Sequence, residues 1–235
     1  MALEVTGVTV RFGGMVALLD VSFKAPSGAV TGLIGPNGAG KTTLFNVITG
    51  LQRPTAGTVR LDGTDITSLA PFRRARLGMT RTFQRLELFG TLTVRENLVV
   101  AASGSTRPAP SVDEILARLQ LTDIAERRAD ELPTGLGRLV ELGRCLAVAP
   151  KVLLLDEPAS GQTENETHVF ACVLAKLAAD GLAVLLIEHD IDLVTRVCSK
   201  IVVLDTGTVL ATGTPAEISI NPAVRDAYLG AEVVT

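Results

Sequence analysis

The alternation of apolar and polar positions divides the chain into an α/β stretch, a helical stretch and a second α/β stretch. Leu3 to Val10 alternates apolar with polar residues, the two-residue period of a strand with one buried face. A second strand fits around Val21 to Lys24. Ala29 to Ile34 is an apolar run that leads straight into a glycine-rich loop. Lys41 to Thr49 then reads as a helix, with Gly50 as its C-terminal cap. Thr58 to Leu61 followed by Asp62-Gly63 predicts a strand and a turn.

The middle of the chain changes character. Thr93-Val94-Arg95-Glu96 and Ser111-Val112-Asp113-Glu114 are capping-box patterns, each opening a helix. Ile115, Leu116 and Leu119 follow the second at helical spacing, and Ala101 to Pro110 between them predicts a loop. Apolar strands return at Val152 to Leu155, Leu182 to Glu188, Ile201 to Leu204 and Val209 to Ala211. A third capping box, Thr163 with Glu166, opens a helix that Gly181 closes. Asp190 is placed to cap the next helix. Thr214-Pro215 and Asn221-Pro222 each combine an N-cap with proline at the first helical position.

Strands alternating with helices imply a mostly parallel sheet with right-handed crossovers. The expected organisation is one α/β domain over residues 1–235 whose first segment begins antiparallel and becomes α/β. Its core comprises 1–83 and 147–213, with a helical subdomain at 84–146 and a helical tail at 214–235.

Composition narrows the possible activities. The 22 basic residues are outnumbered by 25 acidic ones, a net charge of −3, which argues against a general phosphate-backbone binder of nucleic acid. Aromatic residues at 3% leave little for base-stacking platforms. Mean hydropathy is high at +0.37, yet no apolar run reaches the roughly 18 residues needed to span a bilayer. Met1-Ala2-Leu3-Glu4 lacks the basic and apolar regions of a signal peptide. Cys145, Cys172 and Cys198 are too scattered for a disulfide framework or a metal site, and fit small core residues in a reducing cytoplasm.

Two segments carry chemistry. Gly35-Pro36-Asn37-Gly38-Ala39-Gly40-Lys41-Thr42, with Thr43 after it, fits the pattern Gly-x-x-x-x-Gly-Lys-[Ser/Thr] between a strand and a helix. Glycines there let backbone N–H groups turn inward around phosphate oxygens, and the following helix N-terminus adds partial positive charge. Lys41 is placed to reach the β- and γ-phosphates and the Thr42 hydroxyl to ligate Mg²⁺. In Val152-Leu153-Leu154-Leu155-Asp156-Glu157, an apolar strand ends in two carboxylates at its C-terminal tip, where open α/β sheets bind ligands. Asp156 is the candidate holder of the Mg²⁺ shell and Glu157 the candidate general base.

With these two segments and the following Pro158-Ala159-Ser160-Gly161, the chain resembles the ATPase domain of ATP-binding-cassette transporters. The resemblance implies ATP and Mg²⁺ as cofactors. It implies that Phe12 stacks on adenine and that Gln84 touches Mg²⁺ and the attacking water and senses a membrane subunit. His189 then contacts the γ-phosphate. Two such domains would close face to face, each completing the other's site.

Arg81-Thr82-Phe83-Gln84, Leu88-Phe89 and Leu92 to Asn97 are similar to the ATPase subunits of branched-chain amino-acid importers. So are Ile187-Glu188-His189-Asp190 and the tail from Gly213 to Gly230. This implies permease partners, an extracytoplasmic solute-binding protein, a peripheral place on the cytoplasmic face of the membrane and no nucleic acid.

The chain departs from that pattern at the dimer face. Where the family carries Leu-Ser-Gly-Gly-Gln, this sequence has Leu132-Pro133-Thr134-Gly135-Leu136-Gly137-Arg138, with Gly135 and Arg138 in place. Gly135 remains as the expected contact to ATP on the opposite subunit, and Thr134 is a candidate capping hydroxyl. Thr163 stands where Asp or Asn is usual. An intact set of its own beside an altered donated signature suggests a heterodimer with unequal sites. The segment between Gln84 and the signature is also short for the branch. Two alternatives stand beside the transporter reading: a regulatory cassette that hydrolyses ATP poorly, and a soluble cassette outside transport.

Overall fold

The computed structural model describes residues 2–189 and 191–232. Two sheets organise it. Strands β1 (Leu3–Phe12), β2 (Met15–Ala25), β4 (Ala56–Leu61) and β5 (Thr64–Asp65) form an antiparallel sheet in the order β2-β1-β4-β5. The second sheet is built from β3 (Val30–Ile34), β6 (Met79–Arg81), β7 (Val152–Asp156), β8 (Ala183–Ile187), β9 (Lys200–Asp205) and β10 (Thr208–Gly213). Its order is β10-β9-β3-β8-β7-β6, parallel except for β10, which pairs antiparallel with β9.

The apolar runs form the centre of this sheet because both of its faces are covered. Every residue of β3, β7 and β8 is buried. Alternate residues of each strand enter different cores. Val152 and Leu154 of β7 pack with the antiparallel sheet and with Leu44, Phe45 and Ile48 of α1 (Lys41–Thr49). Leu153 and Leu155 pack on the other side. There they meet α3 (Val94–Ser103), α4 (Val112–Arg118), α5 (Thr134–Leu146) and α6 (Glu164–Ala179). The fold is thus α/β with an antiparallel N-terminal part, as the sequence pattern implied.

Local signals hold at most helix ends. Gly50 caps α1 with φ 86, a left-handed conformation that costs glycine nothing. Complete capping boxes open α3, α4 and α6. A fourth, Thr214 with Glu217, opens α8 (Pro215–Ser219), where the sequence suggested only an N-cap and proline. The Asn221 side chain accepts from the amides of Ala223 and Val224 at the start of α9 (Pro222–Glu232). Asp180 caps α6, with Gly181 just beyond it at φ 101. Helix α7 spans Ile191–Val197, and its expected cap Asp190 lies outside the described residues.

The structure corrects the reading in three places. Helix α3 runs to Ser103, so the loop begins later than Ala101. Helix α2 (Pro71–Arg76) and strand β6 have no counterpart in the sequence pattern. Arg74 of α2 is 1% exposed and donates to the carbonyls of Val47 and Ile48 at 2.7 Å each. Those carbonyls belong to the last turn of α1; Val47 also accepts from the Gly50 cap amide, and an arginine from another helix completes the pair. Burial brings its guanidinium pKa down to about 10.

Candidate active site

The two chemical segments meet because β3 lies beside β8, and β8 beside β7. The residues that follow these parallel strands emerge at one edge of the sheet, where the strand order reverses. The glycine-rich loop follows β3, Glu157 follows β7, and Glu188-His189 follows β8.

Gly35, Gly38 and Gly40 have φ of 150, 80 and 100. A Cβ on Gly35 would stand 2.1 Å from the Leu204 carbonyl oxygen, and one on Gly40 would meet Leu18 at 2.7 Å. At Gly38 a Cβ would meet nothing within 4 Å, so the loop leaves open space there. Helix α1 begins with no side-chain cap and no acidic residue in its first turn. Its partial positive charge therefore remains available to an anion. Thr42 is exposed in that turn, and Thr43 is half-buried.

Lys41 Nζ donates to the Gly35 carbonyl at 2.6 Å and the Pro36 carbonyl at 2.9 Å. Its half-buried position lowers its pKa, while the charges of Glu157 and Asp156 work in the opposite direction. Lysine, glycine-rich loop and both carboxylates thus share one electrostatic neighbourhood.

Glu157 adopts φ 48, unusual for a residue with a side chain, and its amide donates to the Ile187 carbonyl at 2.9 Å. Gln84 Nε2 donates to Glu157 Oε2 at 2.9 Å. The structure therefore brings Lys41, Asp156, Glu157 and Gln84 together. His189 stands at the next strand tip, two-thirds exposed, with its ring 3.8 Å from the buried Glu188 carboxylate. Glu188 also accepts from the amides of Ala159 at 2.8 Å and His189 at 3.1 Å, tying the β7 and β8 tips together. Phe12 is 46% exposed on the antiparallel sheet, whose strand β2 packs Leu18 against the Gly40 end of the loop. Phe12 is thus accessible as a stacking surface.

Gly135 is not gathered into this set. It lies in the first turn of α5, and its amide donates to Glu166 Oε1 of α6 at 3.2 Å. Pro133 is the N-cap, and Thr134 makes no capping bond, contrary to the sequence reading. The reason is geometric: Thr134 is already the first helical residue, and a carboxylate from a neighbouring helix takes the role.

Several supporting contacts escaped the sequence. Arg81 donates to Asp156 Oδ2 at 3.0 Å and to Asn46 Oδ1 at 3.2 Å. Burial raises the Asp156 pKa, and Arg81 opposes that shift. Arg138 donates to the carbonyls of Phe83 at 3.0 Å and Gln84 at 2.6 Å, and also to Glu141 at 3.0 Å. Both members of that pair are 5% exposed. Burial raises the Glu141 pKa more than its arginine lowers it. The available signal was Arg138 in the signature stretch with Glu141 three residues further on the same helix. Beside the pair lies a 460 Å³ groove lined by Phe72, Arg81, Phe83, Glu141 and Arg144.

Comparison with known proteins agrees with this geometry. The family described as "ABC transporter" matches residues 18–160, and "Branched-chain amino acid ATP-binding cassette transporter" matches residues 208–234. The high-affinity branched-chain amino acid transport ATP-binding protein BraF of Pseudomonas aeruginosa is 43% identical over 248 positions, covering 97% of each chain. The alignment exceeds the 235 residues here, so BraF carries additional residues within it. The ADP conformation of MJ1267, an ATP-binding cassette of an ABC transporter, superposes with a TM-score of 0.87. It shares 32% identity and covers 97% of this chain and 98% of its own. A dimeric post-hydrolysis state of the cassette MJ0796 bound to ADP and Pi gives a TM-score of 0.77 at 26% identity, covering 91% of this chain and 98% of its own. This chain belongs to the ABC transporter family, as one of its ATP-binding cassettes.

Proposed function

We propose that this chain binds ATP with Mg²⁺ and hydrolyses it to drive uptake of branched-chain or other hydrophobic amino acids through a membrane permease. The observation that carries the catalytic part is the 2.9 Å hydrogen bond from Gln84 to Glu157, beside Lys41 and Asp156. Glu157 accepts the proton of the attacking water, and Gln84 orients that carboxylate. Lys41 exchanges its two loop carbonyls for phosphate oxygens, and His189 reaches the γ-phosphate from the adjacent strand tip. The loop from Gly35 to Thr43 cradles the phosphates, and Phe12 stacks on the base. Thr42, Asp156 and Gln84 supply the oxygen donors that suit Mg²⁺. When bound, the ion offsets charge on the transferring phosphoryl group.

The amino-acid cargo rests on the likeness to BraF and on the tail match at 208–234. In this reading residues 84–146 are the helical subdomain that docks on the permease through the groove beside Phe83. The chain sits on the cytoplasmic face of the membrane, and a solute-binding protein delivers the cargo on the other side. Among the described residues no helix is long and apolar enough to cross a membrane, which suits a peripheral subunit. Pro133, the engaged Gly135 amide and Thr163 favour a partner cassette different in sequence, with this chain's signature serving the weaker of two sites.

A regulatory role for the chain is the second reading, favoured by the Glu166 carboxylate on Gly135. ATP-dependent uptake of labelled leucine into vesicles holding the permease, this chain and the partner cassette tests the main proposal. Uptake should require ATP on the cassette side and vanish with Lys41→Ala. Uptake that persists with Lys41→Ala would overturn it.

A further inference from the structure

Strand β6 delivers Arg81 into the gap between the glycine-loop helix α1 and the carboxylate strand β7. Its guanidinium makes three kinds of contact. One nitrogen donates to Asp156 Oδ2 at 3.0 Å, and another to Asn46 Oδ1 on α1 at 3.2 Å. The guanidinium carbon also lies over two aromatic rings, with the Phe45 and Phe83 centroids each 5.2 Å away. Phe45 is fully buried, whereas Phe83 is half exposed in the groove beside the helical segment. Side-chain exposure is 15% for Arg81 and 12% for Asp156, so water screens the pair little.

A planar cation with two donors in a fixed fork, lying over two rings, sets an orientation as well as a charge. Lysine at this position would supply charge without the fork. We propose that Arg81 is a positioning residue. It fixes the Asp156 carboxylate for the magnesium shell, with the Phe83 ring as one of its supports. The proposal rests on the reading of Asp156 given above.

Two physical effects of Arg81 oppose each other, which makes the idea testable. As a mere competitor for the carboxylate, Arg81 would weaken Mg²⁺ binding, and its removal would strengthen it. As a positioning group it pre-orients Asp156, and its removal weakens Mg²⁺ binding. Loss of such outer-shell partners typically lowers metal affinity roughly 10-fold to 100-fold.

The test is binding of a fluorescent ATP analogue to the purified full chain over a Mg²⁺ series, with a melting temperature recorded for each variant. Arg81→Met should raise the half-saturating Mg²⁺ concentration roughly 10-fold or more, leaving Mg²⁺-free nucleotide binding unchanged. Arg81→Lys should fall between Arg81→Met and wild type. Asn46→Ala and Phe83→Leu, which remove one arm of the fork and one ring, should shift it in the same direction by less. If Arg81→Met fails to fold, Arg81→Lys and Asn46→Ala carry the test.

An unchanged or lowered Mg²⁺ requirement in the arginine variants overturns the proposal. An unshifted Phe83→Leu overturns the part given to the Phe83 ring. Asp156→Asn separates the two levels of inference. If it abolishes the Mg²⁺ dependence while the arginine variants do not shift, only the positioning role falls. If it changes nothing, the magnesium reading of Asp156 falls, and the proposal with it.

Discussion

Arg138→Met isolates the clamp that holds the Gln84 loop. The substitution keeps an apolar stem and removes the guanidinium that donates to the Phe83 and Gln84 carbonyls. It also strands the Glu141 carboxylate, which is 6% exposed and accepts from Arg138 at 3.0 Å. Breaking a buried pair by removing one partner costs about 3–5 kcal/mol. At about 2 °C per kcal/mol for a chain of this length, the melting temperature should fall by roughly 6–10 °C.

The double variant Arg138→Met with Glu141→Met removes the stranded charge as well. Replacing both members of a buried pair by apolar residues is often neutral, so much of the melting temperature should return. ATP turnover should stay low in both variants, because neither restores the donors that hold the Gln84 carbonyl. Calorimetry and steady-state ATPase assays on the assembled transporter read the two effects separately. A single variant that melts within about 2 °C of wild type, or a double variant with normal turnover, would refute the clamp.

Thiol labelling of the native chain should modify Cys172 alone: burial pushes Cys145 and Cys198 up to about 12, while Cys172 is exposed. Intact mass after brief maleimide treatment at neutral pH should show one adduct. Glu114, Glu166 and Glu217 have folded pKa values below the ordinary 4.5, through bonds to their capping residues Ser111, Thr163 and Thr214. Their contribution is present above that value and is lost as pH falls through the lowered ones. A triple Ala variant at Ser111, Thr163 and Thr214 should therefore melt lower at neutral pH and lose less on acidification, as a melting series in pH will show. Gly35→Ala should abolish nucleotide binding in a fluorescence titration, because its Cβ would stand 2.1 Å from the Leu204 carbonyl oxygen.

What the sequence made legible was local. The fully buried strands stood out because both faces are apolar, and helix starts stood out because a capping box needs only four consecutive residues. Lys41, Asp156 and Glu157 were readable because strand, loop and carboxylate pattern lie within short segments. Helix α2 was hidden because Pro71-Phe72-Arg73-Arg74-Ala75-Arg76 shows no apolar period. Its one buried residue is an arginine, fixed by carbonyls of α1 more than 25 residues away in sequence. The supports of the site were hidden for the same reason. Arg81 and Asp156 are 75 positions apart, and Arg138 and Gln84 are 54 apart. Only the fold brings them together. At Gly135 a local signal was read and its setting was not, since the carboxylate that occupies its amide comes from 31 residues downstream.

ATP hydrolysis by the assembled transporter, wild type against Glu157→Gln in this chain, tests the assignment of Glu157 as general base most directly. Glutamine keeps the size of the side chain and a hydrogen-bond partner for Gln84 but cannot take the proton of water. Nucleotide binding should survive, and turnover at this site should fall on the order of 100-fold or more, removing most of the activity of the complex. Undiminished turnover with ATP still bound would mean that another group takes the proton or that the partner cassette does the hydrolysis. In the second case this chain would be the regulatory half.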